Sequence, residues 1–385
     1  MKPRIVLTSN FSPWSAYSGG GQRSTHHIAE QLSKLGYQVN VIFTSTIFEK
    51  INVPENLPYT IHWAKYPGFK SSRKNIFRLL SIFSVKAIAK KLITPSTIVH
   101  CNGEEGALLK SLQKDVDFKL ILTPRYPHIP TKVAGVTPTV WNALRFPSIS
   151  KYILLYKCIN EFDAICPTSQ SASTMITDVF DTPSTKLQIV PNGVAHEFFS
   201  DSDSSRKETD LKRIIFFGRL SKTKGVDTLL KACALKSSMI DDIVIIGRGE
   251  LEDFINETNK SGPLANKIKL LPWLPIRKLV EHLKEATVAV LPSREESFGN
   301  SIAEAMACRI PVITTTAGSV PEIVGNSENG ILVDPEDYEG VAEAIQRLLS
   351  DSDYRNKMAE NGYNRILDNF SWENTAQKYI SIYNQ

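Results

Sequence analysis

Short apolar runs alternate with amphipathic stretches along most of the chain. Residues 4–9 make a β-rich run, and a long loop follows it as far as Arg23. Ile28, Leu32 and Leu35 then recur at helical spacing, with Gly36 as the stop. Residues 38–43 form the next strand. A strand, a helix and a second strand in succession predict a parallel sheet with right-handed crossovers. Runs at 97–100 and 120–123 extend that sheet. The second half repeats the pattern, with strands at 213–217, 243–247, 267–271, 288–291, 311–315 and 331–333 and helices at 226–236 and 279–285. Between the halves, the polar segment from Ser200 to Asp210 reads as a linker or a long exposed loop.

The pattern predicts an α/β protein of two Rossmann-like, doubly wound domains of similar size, facing each other across a cleft. In such sheets ligands bind beyond the carboxyl ends of the strands. Composition agrees: 385 residues, 42% hydrophobic and 22% charged, make an ordinary globular chain long enough for two cores. No apolar run approaches the roughly 18–20 residues that span a bilayer. The N-terminus lacks the features of a signal peptide. Five scattered cysteines without a CxxC suit reduced thiols and give no structural zinc site. The expected setting is cytoplasmic, at most peripheral on the inner face of a membrane.

Charge adds one asymmetry to the picture. Residues 1–196 carry 22 Lys and Arg against 11 Asp and Glu, whereas the remainder carries 23 against 29. The N-terminal half can therefore face an anionic partner, phosphate-bearing lipid or nucleic acid, although a solvated basic surface fits the same count.

Candidate chemistry sits in the loops that follow strands. Gly19, Gly20 and Gly21 can bring backbone amides close to an anion beside a helix N-terminus, and a merely flexible loop fits them as well. After the 213–217 strand come Gly218-Arg219-Leu-Ser-Lys-Thr-Lys224-Gly225, two cations in a glycine-bounded loop suited to a diphosphate. After the 288–291 strand come Pro292-Ser-Arg-Glu-Glu296-Ser297-Phe298-Gly299-Asn300 and, about one turn into a helix starting near Asn300, Glu304. Carboxylates are acceptor-only and suit sugar or ribose hydroxyls. Two unrelated surface glutamates would satisfy the same pattern.

Together these segments resemble the retaining glycosyltransferases called family 4, which have the GT-B fold. The likeness rests on Gly218-Arg219-Leu220 with Lys224-Gly225, Gly247-Arg248-Gly249-Glu250, Pro292-Ser293, Glu296-x-Phe298-Gly299 with Glu304, and Pro311-Val312-Ile313. The Gly19 to Gly21 triplet and Pro191-Asn192-Gly193-Val194 extend it over most of the chain. The resemblance implies an acceptor-binding domain at 1–197, with a final helix at 371–385 packing back on it, and a nucleotide-sugar domain at 198–370. It implies that Arg219 and Lys224 neutralise the departing diphosphate and that Glu296 contacts the transferred sugar, with Ser297, Phe298, Gly299 and Asn300 beside it. Glu304 would hold the ribose, the base would pack near Arg248 and Leu274, and Gly19, Gly20 and Gly21 would face the phosphates.

Two departures from the family stand out. Where many members carry a histidine two residues after a threonine, Thr123-Pro124-Arg125 puts Arg125, with His128 nearby as an alternative acceptor contact. Where the family has glycine before the 311 segment, this chain has Arg309.

The reaction implied is retaining transfer of a hexosyl or N-acetylhexosaminyl group from a nucleotide-diphosphate sugar (UDP, GDP or ADP) to a hydroxyl of a saccharide or lipid-linked glycan. Cell-surface polysaccharide synthesis is the expected setting. Neither a metal nor a cofactor is expected, because two cations can do the metal's work. The segment from Lys70 to Lys91 has seven cations and no acid, with Phe77, Leu80, Ser84 and Ile88 on one helical face. It can lie on an anionic membrane surface or pack on its own sheet. A sugar-nucleotide epimerase of the same fold, or a basic nucleic-acid binder, would be the alternatives. The binder leaves the donor loops unexplained, so no nucleic-acid partner is expected.

Overall fold

The computed structural model describes residues 2–15, 19–67, 80–125, 150–199 and 211–385, with the backbone alone at 150–152. The chain divides into two units, Met1–Gly193 with Trp372–Gln385, and Val194–Ser371.

The first unit contains β1 (Ile5–Ser9), α1 (Gly20–Lys34), β2 (Val39–Thr46), β3 (Thr60–Tyr66), α2 (Ser81–Leu92), β4 (Thr97–Cys101), β5 (Phe118–Leu122), α3 (Ser150–Cys158), β6 (Ala164–Ile165) and α4 (Gln170–Phe180). Its strands pair in the order β3-β2-β1-β4-β5-β6, all parallel, with Ile5 opposite both Val39 and Ile98. Every residue of β1 is buried, as expected for a central strand covered on both faces.

The second unit runs β7 (Arg213–Phe217), α5 (Val226–Leu235), β8 (Asp242–Ile246), α6 (Glu252–Lys260), β9 (Ile268–Leu271), α7 (Ile276–Lys284) and β10 (Val288–Leu291). It continues through α8 (Asn300–Ala307), β11 (Val312–Thr315), α9 (Val320–Val324), β12 (Ile331–Val333), α10 (Tyr338–Ser350) and α11 (Ser352–Asn369). Its parallel sheet has the order β12-β11-β10-β7-β8-β9. Both sheets therefore wind outward in one direction from their first strand, then return and wind in the other. That is the Rossmann arrangement predicted from the sequence, and it creates a switch point in each unit, at β1/β4 and at β7/β10.

The last helix, α12 (Trp372–Tyr383), belongs to the first unit. It buries Trp372, Ala376, Tyr379, Ile382 and Tyr383 in the same core cluster as Ile28 and Leu32 of α1. Thr375 Oγ1 donates to the Pro191 carbonyl at 3.0 Å and Lys119 Nζ to the Ile382 carbonyl at 2.6 Å.

Three local expectations need correction. The glycine triplet is not a loop ahead of a helix starting after Arg23, because α1 begins at Gly20 with Gly19 as its cap. The Gln22 side chain accepts from the Gly19 amide at 2.9 Å, and Ser24 and Thr25 donate back to the Gly20 and Gly21 carbonyls. In α2 the buried face is Ile82, Val85 and Ala89 rather than Leu80, Ser84 and Ile88, and Leu80 is 41% exposed. The helix packs against β3 and β2, so its apolar residues serve the sheet. Residues 70–79, including Phe77, lie outside the described residues. Finally, β3 and β6 were not expected, because β3 is interrupted by polar residues and β6 has only two residues.

Arg309 occupies the left-handed backbone region at φ 55°, which accounts for the glycine usual there. Its guanidinium lies 3.4 Å from the ring centre of Tyr363 and donates to Glu360 at 2.9 Å, contacts that offset the backbone cost. All five cysteines are buried free thiols. No helix among the described residues is long and apolar enough to cross a membrane.

Candidate functional site

At the switch point of the second unit, the loops after β7 and β10 are built against each other. Gly225, the residue before α5, has φ 71°, and a Cβ there would lie 1.8 Å from the Pro292 carbonyl oxygen. The Arg294 amide donates to the Thr223 carbonyl at 2.8 Å. The loop after β11 closes the floor, since a Cβ on Gly318 would lie 2.2 Å from the Glu296 carbonyl oxygen.

This packing brings Lys224 and Glu296 together. Lys224 Nζ donates to Glu296 Oε1 at 2.5 Å, and Ser293 Oγ donates to the same oxygen at 3.0 Å. The Glu296 side chain is 6% exposed and that of Lys224 28%, so a fixed buried carboxylate holds a cation that still reaches solvent. Behind them α8 starts at Asn300 with no acid in its first turn, so the positive end of its helix dipole lies there to favour an anion. A cation and a helix N-terminus suit a phosphate, and the acceptor-only carboxylate suits a hydroxyl.

Arg294, which the sequence did not single out, holds this arrangement. Its NH1 and NH2 donate to the two Asp227 carboxylate oxygens at 2.8 and 2.9 Å, its Nε to Glu336 at 2.6 Å, and its NH1 also to the Lys222 carbonyl. Burial works against charge on Asp227, yet the contact with Arg294 outweighs it and keeps the carboxyl below its ordinary range. The two partners lie 67 positions apart, so only the fold reveals the link.

The other predicted donor residues differ in exposure. Gly218 follows β7 and donates its amide to the Ile246 carbonyl at 3.0 Å, and Arg219 next to it is exposed. Ser297, Asn300 and Glu304 are half-buried, and Gly299 caps α8. Phe298 is different: its ring is buried and meets Phe370 edge-on at 5.8 Å, so only its backbone can face a ligand. Arg248, on the neighbouring loop after β8, donates to Glu252 at 2.7 Å, and Leu274 after β9 is half-buried.

At the switch point of the first unit, Gly20 and Gly21 lie in the first turn of α1, where a Cβ on Gly21 would meet the Arg125 side chain at 3.5 Å. Arg125 Nε donates to Asn102 Oδ1 at 3.0 Å and its NH1 to Asn192 Oδ1. Beneath it lies a polar core that the sequence reading missed. Glu105, buried, accepts from Thr8 Oγ1 at 3.0 Å, from Asn10 Nδ2 at 2.9 Å and from the Asn102 amide at 2.9 Å. Burial and the neighbouring Glu104 push its carboxyl pKa up. His100 bridges Tyr383 and Thr123, both at 2.7 Å, and burial with the nearby Arg125 charge depresses it to about 3. His128 lies outside the described residues.

Comparison with known proteins gives these loops a context. The profile described as Glycosyl transferases group 1 matches residues 197–365, and that described as Glycosyltransferase Family 4 matches residues 18–198. An uncharacterized glycosyltransferase of Methanocaldococcus jannaschii is 28% identical over 377 residues, covering 92% of each chain. A D-inositol 3-phosphate glycosyltransferase of Corynebacterium urealyticum is 26% identical, covering 95% of this chain and 90% of its own. Among solved structures, Anabaena HepE in complex with UDP and glucose superposes with a TM-score of 0.77 at 16% identity, covering all of both chains.

Proposed function

The chain belongs to the GT-B glycosyltransferases of the group 1/family 4 type, and on that premise we propose that it moves a sugar from a nucleoside diphosphate to an acceptor hydroxyl with retention of anomeric configuration. The observation that carries this reading is the Lys224–Glu296 contact at the β7/β10 switch point.

In this reading the donor's diphosphate lies over the loop from Gly218 to Gly225 and the N-terminus of α8. The bond from the anomeric carbon to the diphosphate oxygen breaks, and the electron pair leaves with the phosphate. Lys224 and Arg219 neutralise that charge as it develops, the kind of preorganised donor whose loss costs about 10²–10³ in rate. Glu296 accepts from hydroxyls of the departing sugar, and Glu304 from the ribose. The acceptor oxygen then forms the new bond on the face just vacated, and its proton passes to a leaving phosphate oxygen. Both Lys224 and Ser293 already engage Glu296 Oε1, which suits a positioning carboxylate better than a nucleophile.

The acceptor belongs with the first unit and its basic half. Arg125, in place of the usual histidine, presents a permanent cation there. The relative from Corynebacterium urealyticum is named for a phosphorylated polyol. A phosphate-bearing or lipid-linked saccharide therefore fits this chain best, with residues 70–91 offering their cations to an anionic membrane surface.

The test is to incubate the protein with a panel of nucleotide sugars and saccharide or lipid-phosphate acceptors, then read products by mass spectrometry and the anomeric configuration by NMR. The reading predicts a new glycosidic bond with the donor's configuration. An inverted product, or free sugar from every donor and acceptor offered, contradicts it.

A further inference from the structure

On α1, three ligand-type side chains converge on one face. His26 and Glu30 are one turn apart and His27 lies between them, so Glu30 sits where both rings can reach it. Glu30 Oε2 is 3.6 Å from His26 Nε2 and 3.5 Å from His27 Nδ1, and the three ligand atoms lie within 4.8 Å of one another. Both separations are longer than an ordinary hydrogen bond. They match instead the spacing of two ligands held about 2.0 Å from a tetrahedral zinc ion, which places them roughly 3.3 Å apart.

The surroundings are built as metal sites are. The other ring nitrogen of His26 is 2.6 Å from the Tyr59 hydroxyl, the outer partner that fixes tautomer and orientation in a metal-bound imidazole. The ring of His27 stacks on Trp372 of α12 at 5.3 Å, and Trp14 meets His26 edge-on at 5.4 Å. The three side chains are 17–29% exposed, open enough for an ion to enter and shielded enough to hold it. Imidazole with carboxylate selects zinc and its neighbours over magnesium or calcium, which prefer all-oxygen sites.

We propose that His26, His27 and Glu30 bind one zinc-class divalent cation on the face of α1 that packs against Tyr59 and α12. The site lies within the first unit and serves no step of the sugar transfer, so it stands or falls independently of the donor reading.

Titration of zinc chloride into chelator-treated full-length protein, followed by calorimetry and thermal unfolding, tests it. The expected result is one zinc per chain and a higher unfolding temperature, the latter because the ion binds the folded chain preferentially. Tyr59→Phe should weaken binding about 10–100-fold, and Glu30→Gln, which keeps the shape of the side chain, should weaken it further. No saturable uptake, or uptake unchanged in both Glu30→Gln and His27→Ala, overturns the proposal. If His27→Ala fails to fold by circular dichroism, Glu30→Gln alone decides.

Discussion

Arg294 grips Asp227 with two parallel hydrogen bonds of 2.8 and 2.9 Å, fastening the loop after β10 to the first turn of α5. Lys224 and Glu296 sit on the segments that this fork connects, so their contact depends on a residue pair that itself need not touch substrate.

Breaking the fork should therefore cost both stability and turnover. Arg294→Ala leaves Asp227, 18% exposed, without its partner, at a cost of about 1–3 kcal/mol in urea unfolding. Arg294→Lys should recover little of that loss, because a single ammonium cannot reproduce the planar fork. Full recovery by lysine would mean that charge alone matters at this position.

Gly225 makes a sharper test of loop geometry. Alanine there must adopt a left-handed conformation and place its Cβ 1.8 Å from the Pro292 carbonyl oxygen. The backbone conformation alone costs about 1–2 kcal/mol, and the overlap forces the two loops apart. The expected outcome is a lower unfolding temperature with a larger loss in calorimetric affinity for the donor. Unchanged affinity would show that the two loops do not act together.

His100 sets a pH dependence. An unfolded imidazole titrates near about 6.5, whereas the buried ring titrates at about 3. Below about pH 6.5 the unfolded state takes up a proton that the folded state refuses, so stability present above that pH is lost towards pH 3, by up to about 1.4 kcal/mol per pH unit. Glu105, with its raised pKa, acts in the opposite sense, its contribution falling as pH rises. The comparison must therefore be wild type against His100→Asn, by urea unfolding at about pH 7 and about pH 5. The stability gap between them should shrink at the lower pH, and a constant gap would contradict a neutral buried ring.

The sheets were legible because buried parallel strands are continuous apolar runs, as in the Ile-Ile-Phe-Phe of β7 and the Ile-Val-Ile-Ile of β8. β3 was not, since its Thr-Ile-His-Trp-Ala-Lys-Tyr alternates without a clean period. Lys224 and Glu296 could be named from their positions after two strands, but that they touch follows only from β7 lying next to β10. The start of α1 at Gly20 is not legible because glycine triplets favour no helix; the Gln22 side chain capping Gly19 is the available signal. His100 within β4 and Glu105 just after it look like ordinary polar residues, and only the depth of β4 in the sheet gives them partners.

In the proposed reaction Lys224 stabilises the charge that leaves with the nucleotide. Steady-state turnover of Lys224→Ala against wild type, with an identified donor and acceptor and with folding checked by circular dichroism, tests it most directly. A fall of about 10²–10³ in kcat with the fold intact is the expected result. A correctly folded variant that turns over at the wild-type rate would contradict it.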